Sequence, residues 1–208
     1  MTQELPTIAD EIRAGKWSGE IPEVYALKEV VENSRRWHKN DSVFDHTLRA
    51  MDGLDDVLEK AGETVQPYLG LVVGRYSRKD LLYLALLFHD LGKKDTLCVV
   101  DGFTKAPDHE SVGAEQAVSI LARLGLTEDE RDHVVALIQN HGATFSIVDP
   151  GNDRLEEQIA EIREQYGDVF VEIILLSMAD ALGSQIGETD PAEFAFRMRT
   201  YEGILGRI

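Results

Sequence analysis

The stretch LALLFHDLGKKD, residues 84–95, decides the reading of this chain. A leucine-rich run with the pattern of a buried helix ends in an imidazole beside a carboxylate, His89-Asp90. Burying such a pair costs free energy unless a partner satisfies it, so the rest of the sequence must supply that partner. Ser77 opens this helix as an N-cap and Gly92 suits its C-terminal end. Similar signals recur along the chain. Ser42 opens a helix through about Lys60, and Asp108 is a cap candidate for HESVGAEQAVSILARL. Thr127 with Glu130 makes a capping box before RDHVVALIQNH, which Gly142 would close. Asp168 is a cap candidate for VFVEIILLSMADAL, and Asp190-Pro191 starts a last helix through about Leu205. The hairpin signal lies between LCVV and FTK, at Asp101-Gly102. The chain predicts an all-α protein, a compact helical bundle with at most one short β-hairpin.

Helical spacing then turns several polar residues inward. His46 shares a stripe with Val43, Ala50, Leu54 and Val57, and a second apolar stripe through Phe44, Leu48, Met51 and Leu58 places that helix inside. His109 lies on the line of Val112, Gly113, Ala117, Ile120 and Leu124. His141 completes Val134, Leu137 and Ile138, and Asp180 follows Val169, Ile173 and Leu176. A lone inward histidine is more often a satisfied core residue than a ligand, and Asp180 alone also reads as a cap or as a carboxylate bonded to a neighbouring backbone. Together His46, His89, Asp90, His109, His141 and Asp180 form a set of nitrogen and oxygen donors suited to a divalent cation. Such an ion offsets the desolvation of two carboxylates and holds the imidazoles neutral. His133 is expected at the edge of its helix's stripe, in an acidic, solvated turn. His38, in RWHKNDSVFDHT, approaches the site from outside and reads either way. Asp45 and Asp95 lack helical evidence of burial.

Composition narrows the function classes. Across 208 residues, 38 acidic side chains face 21 basic ones, a net charge of -17. That surface repels phosphate backbones and disfavours extended nucleic-acid binding. A small anionic substrate remains accessible where a metal or a few lysines reverse the sign locally. Cys98 is the sole cysteine, which excludes an internal disulfide and fits a reducing compartment. MTQELPTIADEIRAGKW does not read as a signal peptide, and the apolar run Leu81 to Phe88 is too short to cross a bilayer. A cytoplasmic protein without membrane attachment is expected.

The order His46, His89-Asp90, Asp180 resembles the H…HD…D pattern of the HD superfamily of metal-dependent phosphohydrolases, and HDLGKKD resembles its central motif. HKNDSVFDHTLRAM, HESVGAEQA and LIQNHGATF are similar to the HD segment of bacterial tRNA nucleotidyltransferases and poly(A) polymerases. The resemblance covers roughly His38 to Leu182. It implies an HD domain over residues 37–185, with 1–36 a helical extension and 186–208 a C-terminal helix packing on the core. Those outer helices could cover the core, shape the pocket or form a homodimer interface. The glycine-rich signature and catalytic acids of a nucleotidyltransferase head are absent, so a free-standing HD domain that adds no nucleotides is expected.

By the same resemblance, His46, His89, Asp90 and Asp180 hold one metal. His109 and His141 match the extra histidines of two-metal members, with Asp90 bridging. One or two divalent ions are implied, drawn from Mn, Fe, Mg, Ni, Co and Zn. The implied reaction is hydrolysis of a phosphomonoester or phosphodiester in a small nucleotide-like substrate, by a hydroxide generated between ions about 3.5–4 Å apart. Asp90 and Lys93 are the catalytic candidates. Lys93 would neutralise charge on the phosphoryl oxygens, or else serve a helix C-terminus through its dipole; Lys94 and Arg49 are weaker candidates for the same duty. Two other classes share this ligand set, a di-iron oxygenase of the HD fold and a non-catalytic metal-stabilised module that reports ligand occupancy to a partner.

Overall fold

The computed structural model describes residues 7–62 and 65–207. In chain order its helices are α1 (Ile8–Arg13), α2 (Pro22–Ala26), α3 (Val43–Lys60), α4 (Val65–Leu69), α5 (Arg78–Phe88) and α6 (Lys93–Thr96). They continue with α7 (His109–Arg123), α8 (Glu128–Asn140), α9 (Leu155–Tyr166), α10 (Phe170–Gly183), α11 (Ile186–Thr189) and α12 (Pro191–Leu205). Three antiparallel hairpins interrupt them: β1 (Val31–Ser34) with β2 (His38–Ser42), β3 (Val72–Val73) with β4 (Tyr76–Ser77), and β5 (Cys98–Val100) with β6 (Phe103–Lys105). The class is helical as the periodicity predicts, but the expectation of at most one hairpin is corrected to three. The β5–β6 pair turns at Asp101 and Gly102, with φ of 53° and 78°, as its sequence signal predicts. The other two gave no such signal. β3 and β4 are two residues each, and β1–β2 is too polar to show apolar alternation. That pair is steadied by its neighbour, where the Asn33 N–H donates to Thr104 Oγ1 at 2.7 Å.

Four of the six expected helix starts follow their caps. Ser42 accepts from the Asp45 N–H, Ser77 and Asp80 form a reciprocal box, and Asp190 accepts from the Glu193 N–H. Glu130 accepts from the Thr127 N–H at 2.7 Å. Two expected caps fail. Asp108 takes a left-handed conformation with φ 56° and makes no capping bond. Asp168 sits in a 3-10 turn and pairs with Arg78 instead. The glycines expected to close α5 and α8 also lie beyond their ends, which fall at His89 and His141 in right-handed conformation.

The most apolar segment becomes the central helix. α10 is buried along nearly its whole length, from Phe170 to Ala181, which suits a helix apolar on all sides. It packs against α3 at very short range. A Cβ on Gly183 would lie 2.6 Å from the Ala50 nitrogen, and one on Gly53 would lie 2.8 Å from Leu182 Cβ. About one turn before these small residues stand Asp180 on α10 and His46 on α3, so the close crossing brings them together. Helices α5 and α8 flank the pair, α7 packs on α8, α12 on α10, and α1 and α2 on α3. No helix among the described residues is long and apolar enough to cross a membrane.

Away from that crossing, α10 buries a second polar group. Glu172 is fully buried; its Oε1 lies 2.6 Å from His133 Nε2, and its Oε2 accepts from Arg78 Nη1 at 2.9 Å. Tyr68 adds a hydroxyl to the same carboxylate. His133 is therefore a buried partner of Glu172, which corrects its reading as a solvated residue. Removing one member of a buried pair leaves the other uncompensated at about 3–5 kcal/mol. Glu172→Ala should lose that much in chemical denaturation. Glu157→Ala, at the exposed Arg154 pair, should lose under about 1 kcal/mol. Equal losses would show that the Glu172 network does not hold the fold.

Candidate metal centre

Six polar side chains from α3, α5, α7, α8 and α10 or their ends meet at one point. The link after α5 carries Asp90 and passes α7 without room for a side chain. A Cβ on Gly92 would lie 2.2 Å from the His109 carbonyl oxygen and 2.6 Å from the Gly113 nitrogen. That close approach, rather than a helix cap, is what glycine does there, and it sets Asp90 against His109.

Three of the four imidazoles are oriented by backbone carbonyls three residues earlier. His89 Nδ1 bonds to the Leu86 oxygen at 2.7 Å, His109 Nδ1 to Ala106 at 2.8 Å, and His141 Nδ1 to Ile138 at 2.7 Å. A carbonyl only accepts, so Nδ1 carries the proton of each neutral ring and the Nε2 lone pair faces inward. This is how metal-binding imidazoles are held. His109 Nε2 and His141 Nε2 stand 3.2 Å apart, so two lone pairs confront each other and call for a cation between them.

Asp90 divides the donors into two groups. Its Oδ2 lies 3.3 Å from His89 Nε2 and 3.6 Å from His46 Nε2, and His46 Nε2 is 2.9 Å from Asp180 Oδ1. Its Oδ1 lies 3.5 Å from His109 Nε2 and 3.9 Å from His141 Nε2. His46, His89 and Asp180 thus form one metal-sized cluster, and Asp90, His109 and His141 another. Both ring nitrogens of His46, His89 Nε2 and Asp90 Oδ2 are buried without a well-directed hydrogen bond. Buried polar atoms are rarely left so, and these converge with the donor types that hold a divalent cation. All six predicted donors are brought together.

The charge balance agrees. Burial alone would raise the Asp90 carboxyl, yet the positive charges of His89 and Lys93 hold it well below the usual carboxylate range. Burial opposes charge on His89 too, and Asp90 reverses it. His141 is pushed down to about 3 by burial and by neighbouring His89 and His109, which keeps it neutral as a ligand must be. The carboxylates attract positive charge to this point, and a divalent ion supplies more than a proton does.

Lys93 Nζ lies 2.8 Å from Asp90 Oδ2 and 2.8 Å from Glu32 Oε2. Glu32 was not foreseen. It is the buried residue of the polar strand β1, where only a brief alternation with exposed Val31 marks it. His38 is buried on the same wall, with Nε2 3.5 Å from Glu32 Oε2 and Nδ1 3.4 Å from Asp41 Oδ2. Arg49 is occupied by Asp41 and by the Gly183 carbonyl. Asp45 serves the Ser42 cap, Asp95 accepts from Gln116, and Lys94 is exposed; none of these three lines the cavity that opens onto the centre. That cavity holds about 650 Å³, and Asp90, Lys93, His109, His141 and Asp180 line it.

The model of the HD domain family matches residues 43–184, which contain all six donors. The chain belongs to the HD domain family. Its curated relatives include proteins described as bifunctional uridylyltransferase/uridylyl-removing enzymes. That of Haemophilus influenzae is 26% identical over 145 residues, 70% of this chain and 14% of the relative. That of Acinetobacter baylyi is 31% identical over 125 residues, 60% of this chain and 13% of the relative. That of Vibrio atlanticus is 30% identical over 100 residues, 48% and 10%. The HD chain thus spans about one-seventh of these relatives at most, and they do not reproduce the expected closeness to tRNA nucleotidyltransferases.

If this HD centre takes divalent ions, Mn²⁺ at about 100 times its Kd should stabilise chelator-treated protein by about 2.7 kcal/mol. Asp90→Asn should lose most of that gain, read as the shift in denaturation midpoint on adding Mn²⁺. An undiminished shift in the variant would remove Asp90 from the ligand set.

Proposed function

We propose that this HD domain hydrolyses a phosphomonoester or phosphodiester in a small nucleotide-like substrate. In this reading His46, His89 and Asp180 would hold one divalent ion and His109 and His141 a second, with Asp90 serving both. The carrying observation is Asp90, whose two oxygens face separate groups of inward-aimed imidazoles on the wall of an open cavity. Bound ions would supply Lewis acidity and a nucleophile at neutral pH. The chain's own residues do the rest. Asp90 and Asp180 balance the ionic charge, and the backbone carbonyls behind His89, His109 and His141 fix the direction of each ligand. An ammonium group has three donors. Asp90 and Glu32 lie close enough to engage two on Lys93, so the third can face a phosphoryl oxygen and stabilise the charge that grows there. Burial disfavours that ammonium, but Asp90 and Glu32 more than reverse the effect and keep it protonated.

The cavity volume lies in the range of small-molecule sites and exceeds what a phosphate ion needs. The relatives are named for removing a uridylyl group, a nucleotidyl unit, which supports hydrolytic release of such a unit as the reaction type. The surface charge of -17 favours a small ester over a polymer.

Metal-loaded protein should turn over a nucleotide ester from a phosphoester panel, lose activity to a chelator and regain it with metal. At full metal content Lys93→Ala should lose about 10²–10³ in kcat, with a loss of stability because the buried Asp90 and Glu32 lose their cation, whereas Lys94→Ala should lose neither. Unchanged kcat in Lys93→Ala at full metal content would take Lys93 out of the chemistry.

A further inference from the structure

Two aromatic rings share the wall of the cavity with the metal centre. Trp37 immediately precedes His38, Phe145 lies one turn beyond His141, and both line the cavity with ring centroids 4.4 Å apart. Phe145 is 43% exposed. Behind them lies the buried Arg197 of α12, its guanidinium carbon 4.9 Å from the Trp37 centroid and 5.1 Å from that of Phe145. Arg197 is pinned. Its Nη1 donates to the Phe145 carbonyl at 2.8 Å, and its Nε and Nη2 donate to Glu193 Oε1 at 3.0 and 2.7 Å. Glu193 also takes Arg36, and the Trp37 carbonyl accepts from the Gln185 N–H at 2.8 Å.

A buried ion pair is costly to desolvate, and this one holds two aromatic side chains on a cavity wall instead of in the core. Phe145 lies within residues 43–184 that match the HD domain family, and Trp37, Glu193 and Arg197 lie outside them. A sugar phosphate would leave the ring faces unused. An acyl chain would meet a lining that includes the carboxylates Asp101 and Glu110. A nucleobase, planar with polar edges, suits both.

We propose that Trp37 and Phe145 form the base subsite of this protein, so that its substrate is a single nucleotide unit whose base stacks on them while its phosphoester faces Asp90 and Lys93. The proposal rests on the hydrolytic reading of the metal centre. It makes Phe145 a specificity-determining residue rather than a catalytic one.

The test compares a nucleoside 5′-monophosphate with ribose 5-phosphate, which differ only by the base, using metal-loaded protein. Wild type should favour the nucleotide. Phe145→Leu should reduce that preference in kcat/KM about tenfold, chiefly through KM, on the scale of one lost base–aromatic stack. Phe145→Tyr should retain it. Equal preference in wild type and Phe145→Leu, with both folded by thermal melt, would overturn the base subsite and leave hydrolysis standing. If neither ester turns over, hydrolysis of monoesters fails, and binding decides the subsite separately. In a Trp17→Phe background, where Trp37 is the remaining tryptophan, the nucleotide should quench fluorescence saturably. That quenching should weaken about tenfold in Phe145→Leu, and ribose 5-phosphate should not quench. Absence of quenching by the nucleotide would overturn the proposal.

Discussion

Asp90 is buried among imidazoles, with one oxygen turned to His46 and His89 and the other to His109 and His141. A carboxylate in that position is expensive unless positive charge surrounds it. Lys93 supplies part of this charge, and the unpaired donors around Asp90 converge where a cation would supply the rest. Much of the fold is arranged to keep this group in place. The leucines of α5 end at His89 because the chain must turn there, and the turn presents both side chains of the pair to the interior.

Two close backbone approaches set the geometry. Gly183 against Ala50 draws α10 onto α3 and so His46 to Asp180; Gly92 against Gly113 draws the Asp90 link onto α7 and so to His109. Small residues at these crossings do what no side-chain bond could do with the same rigidity, because tightly packed backbones have little freedom to separate. The polar cluster around Glu172 anchors α10 away from this crossing, while Arg197 on the Phe145 carbonyl and Glu193 on Arg36 tie α12 to the cavity wall. Burial, packing and orientation therefore converge on one cavity.

The helices and the six donors were legible because they obey a long period. His46, His109, His141 and Asp180 each continue an apolar line of three or more residues, and Ser42, Ser77 and Asp190 mark the helix starts. The misses have physical causes. Glu32 and the hairpin of β1 and β2 are short and polar, so alternation has nothing apolar to reveal. His133 sits among acidic neighbours in sequence, and its partner Glu172 comes from a distant, strongly hydrophobic helix. Asp168 looks like a cap locally but is claimed by Arg78. The shelf of Trp37 and Phe145 depends on Arg197 far along the chain, a contact no local pattern carries.

On the proposed reading Asp90 separates two cation positions. Anomalous scattering from crystals grown with Mn²⁺ tests it directly. Two peaks are expected in the cavity wall, one beside His46, His89 and Asp180 and one beside His109 and His141, with an Asp90 oxygen facing each. Peaks confined to other parts of the surface, with Asp90 contacting neither, would contradict it.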